Sequence, residues 1–147
     1  MNKPECKTLP DGTKNWLLNG KLHREDGPAV EFANGHKEWW LNGNRHREDG
    51  PARECAGGIK EWWLNDKRHR EDGPAIVKPN GNKEWLLNGK LHREDGPAVE
   101  YGNGTKEWWL NNQEVHPEAL VDLWLEREVF CWYDETIGCL NFGENND

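Results

Sequence analysis

A heptapeptide, His-Arg-Glu-Asp-Gly-Pro-Ala, begins at His23, His46, His69 and His92, always 23 residues apart. Glu114-Val115-His116-Pro117 stands where a fifth copy would fall. A fixed period of this length means one supersecondary unit copied along the chain, each copy burying surface only against its neighbours. It also limits what the recurring residues say about function, because a side chain present in every copy is explained first by the building of the unit. Only 34% of the 147 residues are hydrophobic, yet ten are Trp. Apolar surface gathered into a few large side chains suits a thin array better than a packed globule.

Aligned at the period, Trp16, Trp39, Trp62, Trp85 and Trp108 share one position, and Leu18, Leu41, Leu64, Leu87 and Leu110 lie two residues later. That spacing puts Trp and Leu on one face of a β-strand, where they are expected to form the core. Asn19-Gly20, Asn42-Gly43 and Asn88-Gly89 follow at once as hairpin turns, and Asn65-Asp66 and Asn111-Asn112 tolerate the same backbone. A return strand is expected over 21–25 and its equivalents, ended by Asp-Gly-Pro. A short third segment (Ala29–Phe32, Ala52–Cys55, Ala75–Lys78, Ala98–Tyr101) runs into a second turn at Asn34-Gly35, Gly57-Gly58, Asn80-Gly81 and Asn103-Gly104. The repeats carry no helical periodicity.

The predicted fold is therefore all-β: an elongated array of five hairpin repeats over 1–112, then an acidic helix and cap over 113–147. An open hairpin sheet and a three-sided β-solenoid both fit the third segment. Pro117 and the stripe Ala119, Leu120, Leu123, Trp124, Arg127 predict a helix over 117–130. Short strands are expected over 129–133 and 137–140. The segment is read as a cap on the last repeat's open edge, which arrays need.

The period, the Trp before an Asn-Gly turn and the Lys-x-His that follows resemble the MORN repeat family. The resemblance covers about residues 7–112 and is closest to a MORN-like variant marked by Asn-Gly-Lys-x-His-Arg-Glu-Asp-Gly-Pro-Ala. Ordinary MORN units have His-Gly-x-Gly where this chain has His-Arg-Glu-Asp-Gly-Pro. The resemblance implies a β-hairpin sheet with a long groove used for binding. It also implies a viral setting, since the variant is frequent in phages and large DNA viruses, and hence an inhibitor of a host defence factor.

Charge narrows the partners. Of 27 acidic and 19 basic residues, nine acidic ones fall in 112–147 against Arg127 alone, so 1–111 carries 18 of each. Such a chain is a poor match for nucleic acid or an anionic membrane, and its acidic end favours a partner with a basic surface. Cys6, Cys55, Cys131 and Cys139 show no CxxC pair and no metal-ligand spacing. With no apolar signal region at the start and no membrane-length stretch, a reduced cytoplasmic setting is expected.

The recurring His, Arg, Glu and Asp do not read as an active site, because catalysis needs one asymmetric arrangement and this motif supplies the same groups at every step. The expectation is a non-enzymatic chain with no cofactor and no metal. In it, Arg24, Arg47, Arg70 and Arg93 would form a charge ladder with carboxylates of adjacent units. Function is expected where copies differ. Leu17, Trp40, Trp63, Leu86 and Trp109 occupy the strand face opposite the fixed Trp; Leu22, Arg45, Arg68 and Leu91 vary as strongly, as do Phe32, Cys55, Lys78 and Tyr101. Trp40, Trp63 and Trp109, with Arg45 and Arg68, are the candidate anchors for a protein partner. The alternative is a nucleotide-like ligand stacked on those Trp, with Arg47 or Arg70 on its phosphate. A homodimer through an open sheet edge is a third reading.

Overall fold

The computed structural model describes residues 2–118, 120, 132–134 and 138–140. The chain divides into Met1–Glu114 and Val115–Asp147. The first unit is all-β. Ten short strands follow one antiparallel path: β1 (Glu5–Thr8), β2 (Lys14–Leu18), Val30–Glu31, Lys37–Glu38, Arg53–Glu54, Lys60–Glu61, Ile76–Val77, Lys83–Glu84, Val99–Glu100 and Lys106–Glu107. Beside that path stand four two-stranded hairpins, the first pairing Trp40–Leu41 with Asn44–Arg45. In the first repeat the equivalent strand, Lys21–Leu22, is joined to the main sheet through β2.

This layout corrects three sequence expectations. The continuous sheet is built mainly from the third segment and the Lys-Glu pair before each Trp, while the Trp/Asn-Gly hairpins lie alongside it. The return strand is two residues long in every copy, as at Lys21–Leu22, because the next residue, His23, turns away to its own partners. The hairpins' turns are as expected: Asn19, Asn42, Asn65, Asn88 and Asn111 have φ of 52, 53, 50, 51 and 49°. Asn reaches this left-handed region more easily than other residues with a Cβ, which is why the turn starts there in all five copies. One copy went unread in the sequence. Asp11-Gly12 is the first instance of the second turn, with Gly12 at φ 87° as Gly35 is at 89°, so β1 and β2 are a partial repeat ahead of the first heptapeptide.

The third correction concerns the core. Every fixed-position Trp is half-buried, and the fully covered side chains are small: Ala29, Ala52, Ala75 and Ala98 are each 0% exposed, with Val30, Ile76, Val99 and Leu86 at 4–6%. Ala closes each heptapeptide where the backbone steps from one copy to the next; Trp39 N–H, for instance, donates to Ala52 O at 2.8 Å. Ala75, Ile76 and Leu86 form a core cluster with Trp62 and Leu91 packed against it.

Register assigns residues to two rows across the sheet. One runs Asn15, Val30, Glu38, Arg53, Glu61, Ile76, Glu84, Val99, Glu107. The other alternates Lys14, Glu31, Lys37, Glu54, Lys60, Val77, Lys83, Glu100, Lys106, opposite charges meeting at every step except Val77. Opposite charges directly across a strand pair each contribute about 0.2–1 kcal/mol.

In the second unit Pro117, Glu118 and Leu120 are helical, and Trp132–Asp134 pairs antiparallel with Gly138–Leu140. The rest of the helix expected over 117–130, and with it the capping role, lies outside the described residues.

Candidate functional site

The His, Arg, Asp, Gly and Pro of the heptapeptide have structural tasks that repeat from copy to copy. The His Nδ1 accepts a hydrogen bond from the next copy's turn: Asn42 N–H to His23 at 3.1 Å, Asn65 to His46 at 3.2 Å, Asn88 to His69 at 3.0 Å, Asn111 to His92 at 3.3 Å. The Arg guanidinium lies 4.1 Å from the ring centre of its own copy's fixed Trp, in all four cases. Its Nε donates to the Asp two residues on, as Arg47 does to Asp49 at 2.7 Å, and its Nη1 to the Pro carbonyl. Hydrogen bonding to Arg24, Arg47 and Arg70 holds the carboxyls of Asp26, Asp49 and Asp72 below the usual 3.8. The Gly is required by the same stack, since a Cβ on Gly50 would sit 2.9 Å from Arg47 Cζ.

The Arg ladder between adjacent units is thus replaced by pairing within each motif. The copies are tied instead by backbone bonds, such as Arg24 N–H to Trp40 O at 3.0 Å and Asp66 N–H to Arg45 O at 3.0 Å. Arg47 and Arg70 are fully engaged in this scaffold. Open grooves of about 760, 570 and 770 Å³ lie between successive motifs, lined by these Arg, the fixed Trp and the outward Glu and Asp.

The copies differ on the other side of the strand. Position by position, the cross-strand pair is Leu17–Leu22, Trp40–Arg45, Trp63–Arg68, Leu86–Leu91 and Trp109–Glu114. The two Trp–Arg pairs are neighbours and interleave. Arg45 Cζ lies 4.8 Å from the Trp40 ring centre and 4.6 Å from that of Trp63, and Arg68 Cζ lies 4.9 Å from Trp63. All four side chains are half-buried. The buried Nε atoms of Arg45 and Arg68 have no acceptor among the described residues, so the guanidinium planes are held by the indoles on their faces and by carboxylates at their Nη2.

Beneath the stack lie two buried carboxylates. Glu38 takes Trp40 Nε1–H at 3.0 Å and meets Arg45 at 3.4 Å and Arg53 at 3.5 Å. Glu61 takes Trp63 Nε1–H at 2.9 Å and meets Arg53 at 3.3 Å and Arg68 at 3.5 Å. Arg53 stands in the row position filled elsewhere by Val30, Ile76 and Val99, and it bridges the two. Three guanidiniums against two carboxylates leave the cluster one positive charge in excess.

The same recurring Glu is satisfied differently further along. Lys78 Nζ reaches Glu84 at 2.8 Å; Trp109 Nε1–H and Tyr101 O–H donate to Glu107, each at 3.0 Å. The hydrogen bond to Glu107 raises the Tyr101 hydroxyl above its usual 10.0. Part of the variation between copies is therefore a change of donor for one repeated carboxylate.

Of the residues singled out in the sequence, Trp40, Trp63, Arg45 and Arg68 come together. Trp109 stands two copies beyond Trp63 with Glu114 opposite it, and Arg47 and Arg70 cover Trp39 and Trp62. Glu38 and Glu61 flank Trp40 and Trp63, as the strand alternation places them, and Arg53 was missed. Arg53 breaking an otherwise aliphatic position was the available signal. Among the described residues, no group of three or more His, Cys, Asp and Glu gathers to hold a metal, and no helix is long and apolar enough to cross a membrane. No protein-family model matches the sequence, and no curated protein matches it either.

Proposed function

We propose that this chain is a non-enzymatic binding scaffold that docks a protein partner on the strip Trp40–Arg45–Trp63–Arg68. The observation that carries this reading is the interleaved stack itself: two Trp and two Arg, half-exposed, held in place by each other and by buried carboxylates, in two adjacent copies only. Trp and Arg dominate binding hot spots, and side chains already fixed lose little entropy when a partner arrives. The nine acidic residues of 112–147 favour a partner that also offers a basic surface. Inhibition of a host defence factor by a viral protein is the form of this function that the MORN-like resemblance suggests. The nucleotide reading has less support, because the ring faces are already covered by guanidinium and Arg47 and Arg70 are occupied.

The flanking copies supply the test. Leu17–Leu22 and Leu86–Leu91 occupy the same pair positions within the same array. A variant carrying Trp40→Leu, Arg45→Leu, Trp63→Leu and Arg68→Leu, with Glu38→Gln and Glu61→Gln to remove the buried charges those donors served, takes both copies to the neighbouring Leu pair, its fold being checked by circular dichroism before use. A partner recovered in stoichiometric amount with the parent, from the cells in which the protein acts, should be lost with this variant. Undiminished recovery would remove the strip from the function.

A further inference from the structure

The sheet's first strand, β1, is an open edge. All four of its residues, Glu5–Thr8, are exposed, and among the described residues it pairs only with β2. Leu9 N–H donates to Thr13 O at 2.8 Å, so Leu9, Lys7 and Glu5 direct their backbone groups toward β2. By the alternation of an antiparallel ladder, Cys6 and Thr8 direct theirs outward. Such a row of unpaired donors and acceptors is a template for another strand.

We infer that a second copy of this chain occupies that edge, β1 pairing antiparallel with β1 across a two-fold axis centred on Cys6. Backbone direction and charge together select the register. Only outward residues can bond outward residues, so symmetric pairings that centre on Cys6, Thr8 or an inward residue remain. Centring on Lys7 sets Lys7 against Lys7, and centring on Glu5 sets Glu5 against Glu5, each a like-charge clash directly across the pair. Centring on Thr8 brings Cys6 opposite Pro10 and leaves Lys7 facing Leu9, with no charge paired. Centring on Cys6 sets Glu5 of each copy against Lys7 of the other. It also exchanges both Cys6 N–H···O bonds and lets each Thr8 N–H reach the carbonyl of Pro4, while Pro4, having no N–H to return, leaves the exposed Thr8 carbonyl to solvent. The interface is isologous, as a closed dimer requires.

The register places the two Cys6 Cα atoms about 5.5 Å apart, the separation of a hydrogen-bonded antiparallel pair and within disulfide reach. Cys6 is a free, exposed thiol and therefore serves as a reporter of the register. The experiment is sedimentation over a concentration series, paired with diamide oxidation read on non-reducing gels. The parent should show a reversible monomer–dimer equilibrium, and diamide should trap a covalent dimer that Cys6→Ser abolishes. Lys7→Glu opposes two pairs of carboxylates and should weaken the dimer about tenfold. The charge swap Glu5→Lys with Lys7→Glu restores both attractions and should restore the dimer. A parent that stays monomeric throughout, a dimer indifferent to Lys7→Glu, or a swap that fails to rescue would each overturn the proposal. Circular dichroism of each variant separates loss of pairing from loss of fold, and the strip proposed for partner binding is untouched by these substitutions.

Discussion

Replacing Arg53 with Val would make the second copy agree with the others, since Val30, Ile76 and Val99 hold the same position in the row. Repeat consensus would favour this change; the local electrostatics oppose it. Arg53 touches Glu38 at 3.5 Å and Glu61 at 3.3 Å, and those side chains are 11% and 7% exposed. Stranding a buried charge altogether costs about 3–5 kcal/mol. Here each carboxylate keeps a Trp Nε1–H and one other Arg, so the loss is nearer about 1.5 kcal/mol for the charged hydrogen bond to Glu61 and about as much for the ion pair to Glu38, roughly 3 kcal/mol together. The incoming Val adds about 1 kcal/mol of apolar burial, because the Arg stem already covers part of that surface. The net expectation is a destabilisation of about 2 kcal/mol. Urea denaturation followed by Trp fluorescence should show the midpoint falling by roughly 1 M at an m-value near 2 kcal/mol/M. Adding Glu38→Gln and Glu61→Gln to Arg53→Val should recover most of the loss, since neutral amides no longer need the shared cation. A midpoint that is unchanged or higher in Arg53→Val alone would refute the reasoning, and the bridged pair would then contribute nothing to stability.

Gly50→Ala should cost about 1 kcal/mol, because its methyl would displace the Arg47 guanidinium from Trp39, while Gly57→Ala, whose Cβ would meet nothing within 4 Å, should be near neutral in the same denaturation assay. Acid should weaken the array through Asp26, Asp49 and Asp72. Their folded values lie below 3.8, so their contribution is complete above that pH and is lost as pH falls through the folded values. Asp49→Asn should flatten the slope of stability against pH below about 4 relative to the parent.

The period, the all-β class and the hairpin turns were legible because they rest on local chemistry. A 23-residue repeat survives in the string itself, and an Asn at positive φ before Gly or Asp is a requirement of two adjacent residues. The assignment of the main sheet was not legible, because its strands beyond β2 are two residues long and cannot display an alternation. The core was misplaced for a related reason. Trp and Leu two residues apart resemble an apolar strand face, but nothing local to Trp39 reveals that Arg47, eight residues later, will lie flat on its ring. The Gly of the heptapeptide carried that information in a form readable only afterwards: its φ is ordinary, and what it supplies is room for the guanidinium.

The differences between copies have two causes that sequence comparison alone does not separate. At the Phe32, Cys55, Lys78, Tyr101 position, Lys78 and Tyr101 each serve a buried or half-buried Glu one strand away, and Arg53 does so for two at once. The Lys78 and Tyr101 substitutions follow from a fixed need, a carboxylate in the row that must find donors where the copy has lost its Trp indole or lacks an Arg. Trp40–Arg45 and Trp63–Arg68 exceed that need. Glu84 manages with Lys78 above a Leu86–Leu91 pair, so a stable copy does not require a Trp–Arg pair at all. Two adjacent copies nevertheless carry it, and their four side chains interleave across the copy boundary, which independent replacement of one donor by another would not produce. The excess over structural need is what singles out this strip as the place where the array meets something else.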